Sequence, residues 1–122
     1  MSRYCRVGLA GPRIIAAVRM TEVTIGKIAG ALLLGPLAVD PDFVGHGFGR
    51  RLISETMEDA QRGGMRLVVL VGDEPYYGRF GFKPVSPGQI LLPGPVNPER
   101  LLAAELESGA LAHYRGAVEA AG

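Results

Sequence analysis

Residues 29–72 combine two apolar runs with a glycine-rich segment and an amphipathic stretch between them. The apolar runs are AGALLLGPLAV (29–39) and MRLVVLVG (65–72). Between them, the stretch from Phe48 to Arg62 carries apolar side chains at helical spacing, and Gly63-Gly64 would end a helix there; the stripe comprises Leu52, Ile53, Thr56, Met57 and Ala60. This order predicts a strand, helix, strand unit with a right-handed crossover and two strands that we expect to be parallel.

Three glycines at alternate positions, Gly45, Gly47 and Gly49, precede the predicted helix. Taken alone they also fit a tight turn, but three of them indicate a backbone that approaches a ligand closely. The first-turn N–H groups of a helix have no intrahelical partner, and the dipole is positive there, so the position suits an anion. Arg50 and Arg51 favour the same interpretation, because first-turn cations are unfavourable unless a negative charge offsets them.

Two common nucleotide-binding motifs do not match this segment. A P-loop ends in Gly-Lys-Ser/Thr, whereas Gly49 is followed by Arg50-Arg51. A dinucleotide fingerprint would need its third glycine where the chain has Arg50 or Leu52. Asp73, at the end of the next strand, keeps a Rossmann-like nucleotide-binding domain open as a third alternative.

Composition limits the class of protein. A chain of 122 residues with 48% hydrophobic residues suits one globular domain. The net charge of +1, with no basic run, gives no reason to expect a nucleic-acid or membrane partner. The single cysteine, Cys5, excludes an internal disulfide and suits a reducing compartment. We therefore expect a cytoplasmic protein, with no metal site.

Outside the central unit, residues 13–25 read as a strand because β-branched and polar residues mix there. Gly35-Pro36 interrupts the first apolar run and predicts a bulge or a break in strand pairing, since proline cannot donate to a sheet. Residues 74–82, EPYYGRFGF, predict a short helical turn followed by the start of a strand. In the tail, the acidic, alanine-rich stretch from Pro98 to about Glu107 predicts a helix.

Two segments together, LLLGPLAVDPDFVGHGFGRRLI and VVLVGDEPYYGRFGF, resemble the GNAT superfamily of acetyl-CoA-dependent N-acetyltransferases, in particular its small bacterial members. The resemblance covers about residues 13–85. It implies an α/β fold with a mixed, mostly antiparallel twisted sheet, a central splayed parallel strand pair and flanking helices. It also accounts for Gly35-Pro36, because the pantetheine arm of the cofactor inserts where such a bulged strand separates from its parallel neighbour.

The same resemblance assigns the cofactor site. Backbone groups of Leu37, Ala38 and Val39 would face the acetyl group and the pantetheine amides. The family's pyrophosphate-binding pattern is Gln/Arg-x-x-Gly-x-Gly/Ala. Here it falls on Val44, Gly45, His46, Gly47, Phe48 and Gly49, so that Val44 departs from the pattern at its first position. Arg50 follows this loop, and Arg79 lies in the second segment as a further cofactor contact.

For catalysis, the family pattern Tyr-x-x-x-Gly-Phe makes Tyr77 the general acid that protonates the thiolate leaving group, with Tyr76 as its packing neighbour. Glu22 and Asp73 are the candidates for the general base, directly or through water.

The resemblance implies direct transfer of the acetyl group to a primary amine in a ternary complex. The alternative from another class is a non-catalytic CoA-binding or regulatory module with the same fold. Only MSRYCRVGLAGP stands where family members have most of their N-terminal strand and helices. Those helices form one wall of the acceptor pocket in the family. Three explanations stay open: a truncated or misassigned start, a minimal domain whose missing wall comes from a second subunit, or a relative that binds acetyl-CoA without efficient turnover. We expect a single shortened domain, residues 1–122, that forms a homodimer, because a missing wall would expose apolar sheet surface.

Overall fold

The computed structural model describes residues 4–10, 13–40, 42, 47–93, 97 and 100–121. The strands in this part of the chain are β1 (Tyr4–Ala10), β2 (Arg13–Ile25), β3 (Ile28–Val39), β4 (Leu67–Val71), β5 (Lys83–Pro84), β6 (Ile90–Leu91), β7 (Leu101–Glu105) and β8 (Gly116–Ala120). The helices are α1 (Phe48–Arg62) and α2 (Glu74–Tyr77), and α2 continues into a 3₁₀ turn at Gly78–Phe80.

The described strands form one mixed sheet in the order β5-β7-β4-β3-β2-β8-β6, and β1 also pairs with β2. Two neighbouring pairs are parallel, β3 with β4 and β6 with β8, and the other pairs are antiparallel. The predicted α/β class is therefore confirmed: the sheet is mixed, mostly antiparallel and twisted, with a central parallel pair and flanking helices. The sheet is not the parallel sheet that the alternative of a Rossmann-like nucleotide-binding domain would require.

The parallel pair separates after a short paired stretch. Residues 31–33 of β3 pair with residues 67–69 of β4, and the pairing recorded between these strands ends at Leu33 and Val69. β3 continues for six residues beyond that point, to Val39, and there it stays paired with β2 on its other edge. The splay predicted between these two strands is confirmed.

A β-bulge lies where β3 leaves β4. Val18 of β2 pairs with Leu37, whereas Met20 pairs with Leu34, so β3 uses one more residue than β2 between these pairs. The extra residue falls at Gly35-Pro36, where Gly35 has a φ of 147°. Proline supplies no N–H for the ladder, and glycine adopts this φ without a Cβ clash, which explains the bulge predicted from the dipeptide.

Helix α1 has the predicted bounds and packs through the predicted stripe. Leu52, Ile53, Thr56 and Ala60 are buried, and the Thr56 hydroxyl donates to the Leu52 carbonyl at 2.7 Å. At the other end, Gly64 lies in the left-handed region at φ 84°, and the Met65 N–H donates to the Ala60 carbonyl at 3.0 Å, so the helix ends at Gly63-Gly64 as expected.

The core has two parts, one on each face of the sheet. On the face covered by α1, which we call the helix face, the buried residues include Met20, Leu32, Ile53 and Leu70. On the opposite face they include Val23, Ala31, Leu67, Val69 and Tyr114. Alternate side chains of β2, β3 and β4 thus contribute to both parts, as expected for buried strands.

The helix predicted from Pro98 to Glu107 is wrong. Residues 101–105 form β7, which pairs antiparallel with all five residues of β4. Leu101, Leu102, Ala103 and Ala104 are all buried, so both faces of this stretch lie in the core. The backbone edge of β4 needs hydrogen-bond partners, and satisfying it outweighs the modest helix preference of leucine and alanine.

Tyr114 joins the C-terminal segment to the sheet. It is fully buried, its hydroxyl donates to the Ala29 carbonyl at 2.6 Å, and the Arg66 guanidinium lies 5.6 Å from its ring centroid.

We expect Tyr114→Phe to lower the free energy of unfolding by about 1 kcal/mol, because the carbonyl loses its donor. Urea denaturation measures this change. His113→Ala, at the exposed neighbouring position, is the control, and an equal loss in both variants would contradict the assignment.

Candidate active site

The N-terminus of α1 begins at a glycine. Gly47, in the left-handed region at φ 81°, is the N-cap; no side-chain cap hydrogen bond is present among the described residues, and the first turn contains no acidic residue. The first intrahelical hydrogen bond runs from the Arg51 N–H to the Gly47 carbonyl at 3.0 Å. Arg50 is exposed beside these N–H groups. An end of this kind suits an anion.

The predicted phosphate loop is described only in part. Gly47, the backbone of Phe48, Gly49 and Arg50 lie at the start of α1 as expected. The remaining residues of the pattern, Val44, Gly45 and His46, lie outside the described residues.

The backbone predicted to face the acetyl group borders the gap between the two parallel strands. Leu37, Ala38 and Val39 pair through one edge with residues 16–18 of β2. The recorded pairing of β4 with β3 ends before these residues, so their other edge faces the gap. The N–H and C=O groups that point to this edge have the spacing of a strand and are able to pair with an extended ligand.

Tyr77 lies on the helix face at the carboxyl end of β4. Its ring packs against the core of that face, with ring centroids 4.9 Å from Tyr76 and 6.0 Å from Phe82. Partial burial raises the pKa of the Tyr77 phenol above its usual value, and Tyr76 and Asp73 act in the same direction. The phenol therefore keeps its proton at neutral pH, as a general acid must.

Gly72 makes room for the Tyr77 ring, a role that was not predicted from the sequence. A Cβ on Gly72 would lie 2.5 Å from the ring carbon Cε2 of Tyr77. The Gly72 N–H donates to the Arg100 carbonyl at 2.9 Å, which holds the turn after β4 in place. The signal that was available is the glycine that directly follows an apolar strand and precedes the tyrosine turn.

The structure places the two candidate bases at different positions. Asp73 is exposed, precedes α2, and accepts the Tyr77 N–H on its main-chain carbonyl at 3.0 Å. Arg100 reaches its carboxylate at 3.3 Å. Glu22 is half-buried on β2, and alternation along the strand directs it to the helix face with Met20. The arrangement thus brings Asp73, but not Glu22, into the turn that carries Tyr77.

Arg79, predicted as a cofactor contact, lies in the 3₁₀ turn after α2. Its guanidinium carbon lies 5.1 Å from the ring centroid of Tyr76, which is a cation–π distance. Tyr76 packs edge-on against Tyr77, so Arg79 supports the ring beside the predicted acid.

An open cavity of about 510 Å³ lies on the opposite face, beside the bulge. Its wall on β3 is formed by Leu33, Leu34 and Gly35, and its wall on β4 by Val71. The other lining residues come from β2, β8 and the segment after β6; they are Thr21, Val23, Leu92, Pro93, Val118, Glu119 and Ala120. The cavity therefore opens where β3 and β4 separate.

Two features are absent from the part of the chain that the structure describes. No three His, Cys, Asp or Glu residues in this part of the chain are grouped so that they could hold a metal ion. Among the helices that the structure describes, none has the length and hydropathy required to cross a membrane.

The chain is similar to several acetyltransferases. A family model of the acetyltransferase (GNAT) domain matches residues 5–84, more than half of the chain. Among curated proteins, the uncharacterized N-acetyltransferases YjhQ and YhbS of Escherichia coli K12 are 42% identical over 54 residues and 40% identical over 50 residues. These alignments include 44% and 41% of this chain but only 30% of each relative.

Solved structures extend the similarity to most of the chain. E. coli YhbS in complex with CoA gives a TM-score of 0.80 at 28% identity, covering 88% of this chain and 61% of that one. A GNAT family acetyltransferase from Brucella melitensis in complex with acetyl-CoA gives 0.63 at 32% identity, covering 81% and 64%. This chain thus spans less than two thirds of either structure. Together with the splayed strands, the bulge and the tyrosine turn, the family match shows that the chain belongs to the GNAT acetyltransferase family.

Proposed function

We propose that this chain binds acetyl-CoA and transfers its acetyl group to a primary amine by direct attack in a ternary complex. The observation that carries the proposal is the gap between β3 and β4, which begins after Leu33 and Val69, together with the N-terminus of α1, which follows β3 along the chain. A strand-like pantetheine arm would pair in that gap, and a pyrophosphate would meet the helix N-terminus. The neighbours solved with CoA and acetyl-CoA support the same cofactor.

In the proposed reaction, the amine nitrogen bonds to the thioester carbonyl carbon, and the carbon–sulfur bond then breaks. Tyr77 donates its proton to the departing thiolate, and a base removes the proton lost by the amine. A backbone N–H of residues 37–39 would stabilise the developing oxyanion from the edge that β4 leaves open. No metal or redox cofactor enters this balance.

We place the base at Asp73, acting through water, with Glu22 as the second candidate. Asp73 belongs to the same turn as Tyr77 and is open to solvent, and its contact with Arg100 orients the carboxylate. A water held there would relay a proton without direct contact between Asp73 and the amine.

The phosphate site is tested by titrating the protein with acetyl-CoA and CoA while following thermal unfolding, because a ligand that binds only the folded state raises its stability. We expect Gly47→Ala to weaken CoA binding about tenfold or more, since its Cβ would enter the open space before α1 and strain a left-handed residue.

Gly64→Ala is the matched control for this experiment. Gly64 also has a positive φ, 84°, and open space around its Cβ position, but it follows the other end of α1. Both variants should lose similar stability, and only Gly47→Ala should lose CoA affinity. NAD should give no shift. An equal loss of CoA affinity in both variants, or a shift with NAD alone, would contradict the assignment.

Three expectations from the sequence stay predictions. They are a single domain over residues 1–122, a cytoplasmic location and a homodimer. Sedimentation of the purified chain with and without CoA measures its oligomeric state directly.

A further inference from the structure

We propose that the open cavity beside the bulge binds the apolar body of the acceptor, so that the preferred acceptor is a primary amine with an uncharged hydrophobic body. This inference rests on the proposed function and names its substrate class. The cavity, with a volume of about 510 Å³, lies within the range of about 300–1,000 Å³ that is usual for small-molecule sites.

The position of the cavity fits an acceptor. Leu34 and Gly35 follow the last residue of β3 that pairs with β4, and Val71 ends β4, so the cavity meets the gap where the acetyl group would lie. Tyr77 packs on the helix face of the sheet. The cavity lies on the opposite face, as Val23 and Val118 of its lining show. An amine held there would approach the thioester from the side away from the acid that protonates the leaving group.

The residues that line the cavity disfavour a charged group on the body of the acceptor. Its side chains are apolar except for Thr21 and Glu119, and no basic residue is among the lining residues that the structure describes. Glu119 pairs with Thr24, whereas its neighbours on β8 pair with Val23 and Ile25 of the opposite face. Alternation therefore directs the Glu119 side chain to the helix face and leaves its backbone at the cavity.

Two residues, Val71 and Arg19, bear on which acceptor the cavity would bind. Val71 is exposed to 43%, so this side chain is a hydrophobic surface that a bound apolar group would cover. Arg19 lies on the same face of β2 as Thr21, two residues before it and outside the lining residues. An acceptor with a carboxylate could reach toward Arg19, and the experiment below includes such an amine.

The test compares kcat/KM for three primary amines with saturating acetyl-CoA. Phenethylamine has an apolar body, phenylalanine adds a carboxylate to that body, and ethanolamine has no apolar body. We expect phenethylamine to exceed both others by about tenfold or more, because the cavity removes its ring from water. No preference for phenethylamine over ethanolamine, or a preference for phenylalanine over phenethylamine, would overturn the inference.

Variants locate this preference in the cavity. Val71→Asp should abolish it through a higher KM for phenethylamine, and Thr21→Val should strengthen it, because Thr21 supplies a polar group to the lining. Leu91→Asp is the matched control, since Leu91 is also a hydrophobic strand residue, exposed to 55%, but does not line the cavity. An equal loss for all three amines in Val71→Asp would overturn the inference. A Val71→Asp variant that changes the preference between butyryl-CoA and acetyl-CoA, but not the preference among amines, would also overturn the inference. The cavity would then hold the acyl chain of the cofactor and not the amine.

Binding measurements separate this inference from the proposed function. If CoA does not stabilise the wild-type protein, the proposed function fails. The cavity is then tested by the thermal shift that phenethylamine alone produces: a shift lost in Val71→Asp and kept in Leu91→Asp supports the site, and no shift overturns it.

Discussion

Replacing Tyr77 with phenylalanine is expected to lower kcat about 100-fold or more while leaving the affinity for CoA within about twofold, because general-acid catalysis contributes about 10²- to 10⁴-fold. The substitution removes only the hydroxyl, and the ring contacts with Gly72, Tyr76 and Phe82 remain. Steady-state assays with free-thiol detection give kcat, and thermal titration gives CoA affinity.

Tyr76→Phe is the matched control, because it removes a hydroxyl from the adjacent ring in the same turn and keeps the contact with Arg79. It should retain most of the wild-type kcat. Equal losses in the two variants would mean that the turn acts only through packing. Retained turnover in Tyr77→Phe would remove the acid from the mechanism. CoA binding by a wild-type chain that has no turnover with any amine would instead favour a non-catalytic CoA-binding module.

The pH profile gives an independent measurement of the same group. Burial raises the pKa of Tyr77, so its proton should be lost only above the ordinary tyrosine value of about 10. The raised pKa of Tyr77 also contributes to the free energy of unfolding. This contribution is fully present below about pH 10 and is lost as the pH rises through the pKa of Tyr77 in the folded state. An alkaline loss of activity near pH 8 that disappears in Tyr77→Phe would contradict this assignment.

The largest effect on stability is expected from Gly26→Ala, in the turn between β2 and β3. A Cβ at Gly26 would lie 1.8 Å from the Arg115 carbonyl oxygen, and the φ of Gly26 is 58°. The Gly26 N–H also donates to the Ala117 carbonyl at 3.0 Å. Overpacking and left-handed strain together should lower the free energy of unfolding by about 3 kcal/mol. The midpoint of thermal unfolding would fall by roughly 10 °C.

Lys27→Gly is the control for this turn. Lys27 also has a positive φ, 69°, but it is exposed, so glycine there should relieve strain and raise stability by up to about 1 kcal/mol. Opposite signs at neighbouring positions would show that the contact with Arg115, and not the turn itself, requires glycine at residue 26. A Gly26→Ala variant within about 0.5 kcal/mol of the wild type would contradict the close approach.

Much of the central unit could be predicted from the chain alone. The helix at 48–62 has a periodic apolar stripe and a glycine stop, and β2 and β3 have long runs of strand-forming residues. Gly35-Pro36 predicted the bulge because proline removes a ladder donor wherever it occurs. These features depend only on residues that are close in sequence, and for this reason they could be predicted from the sequence.

The C-terminal third could not be predicted in the same way. Residues 101–105 have leucine and alanine, which favour a helix locally, yet they form β7 because β4 offers an unpaired edge. Tyr114 carried no pattern that indicated its bond to the Ala29 carbonyl, since the partners are separated by 85 residues. The room that Gly72 leaves for the Tyr77 ring likewise appears only when the two are packed together.

The sequence by itself determined the family resemblance, the central strand, helix, strand unit and the tyrosine turn, because periodicity, glycine and proline act over a few residues. Tertiary structure alone decided that the tail supplies strands, that Glu22 lies on the helix face of the sheet with Met20, and that an apolar cavity opens beside the bulge. Those outcomes depend on which backbone edges remain to be paired and which faces remain to be covered, and these are properties of the assembled sheet.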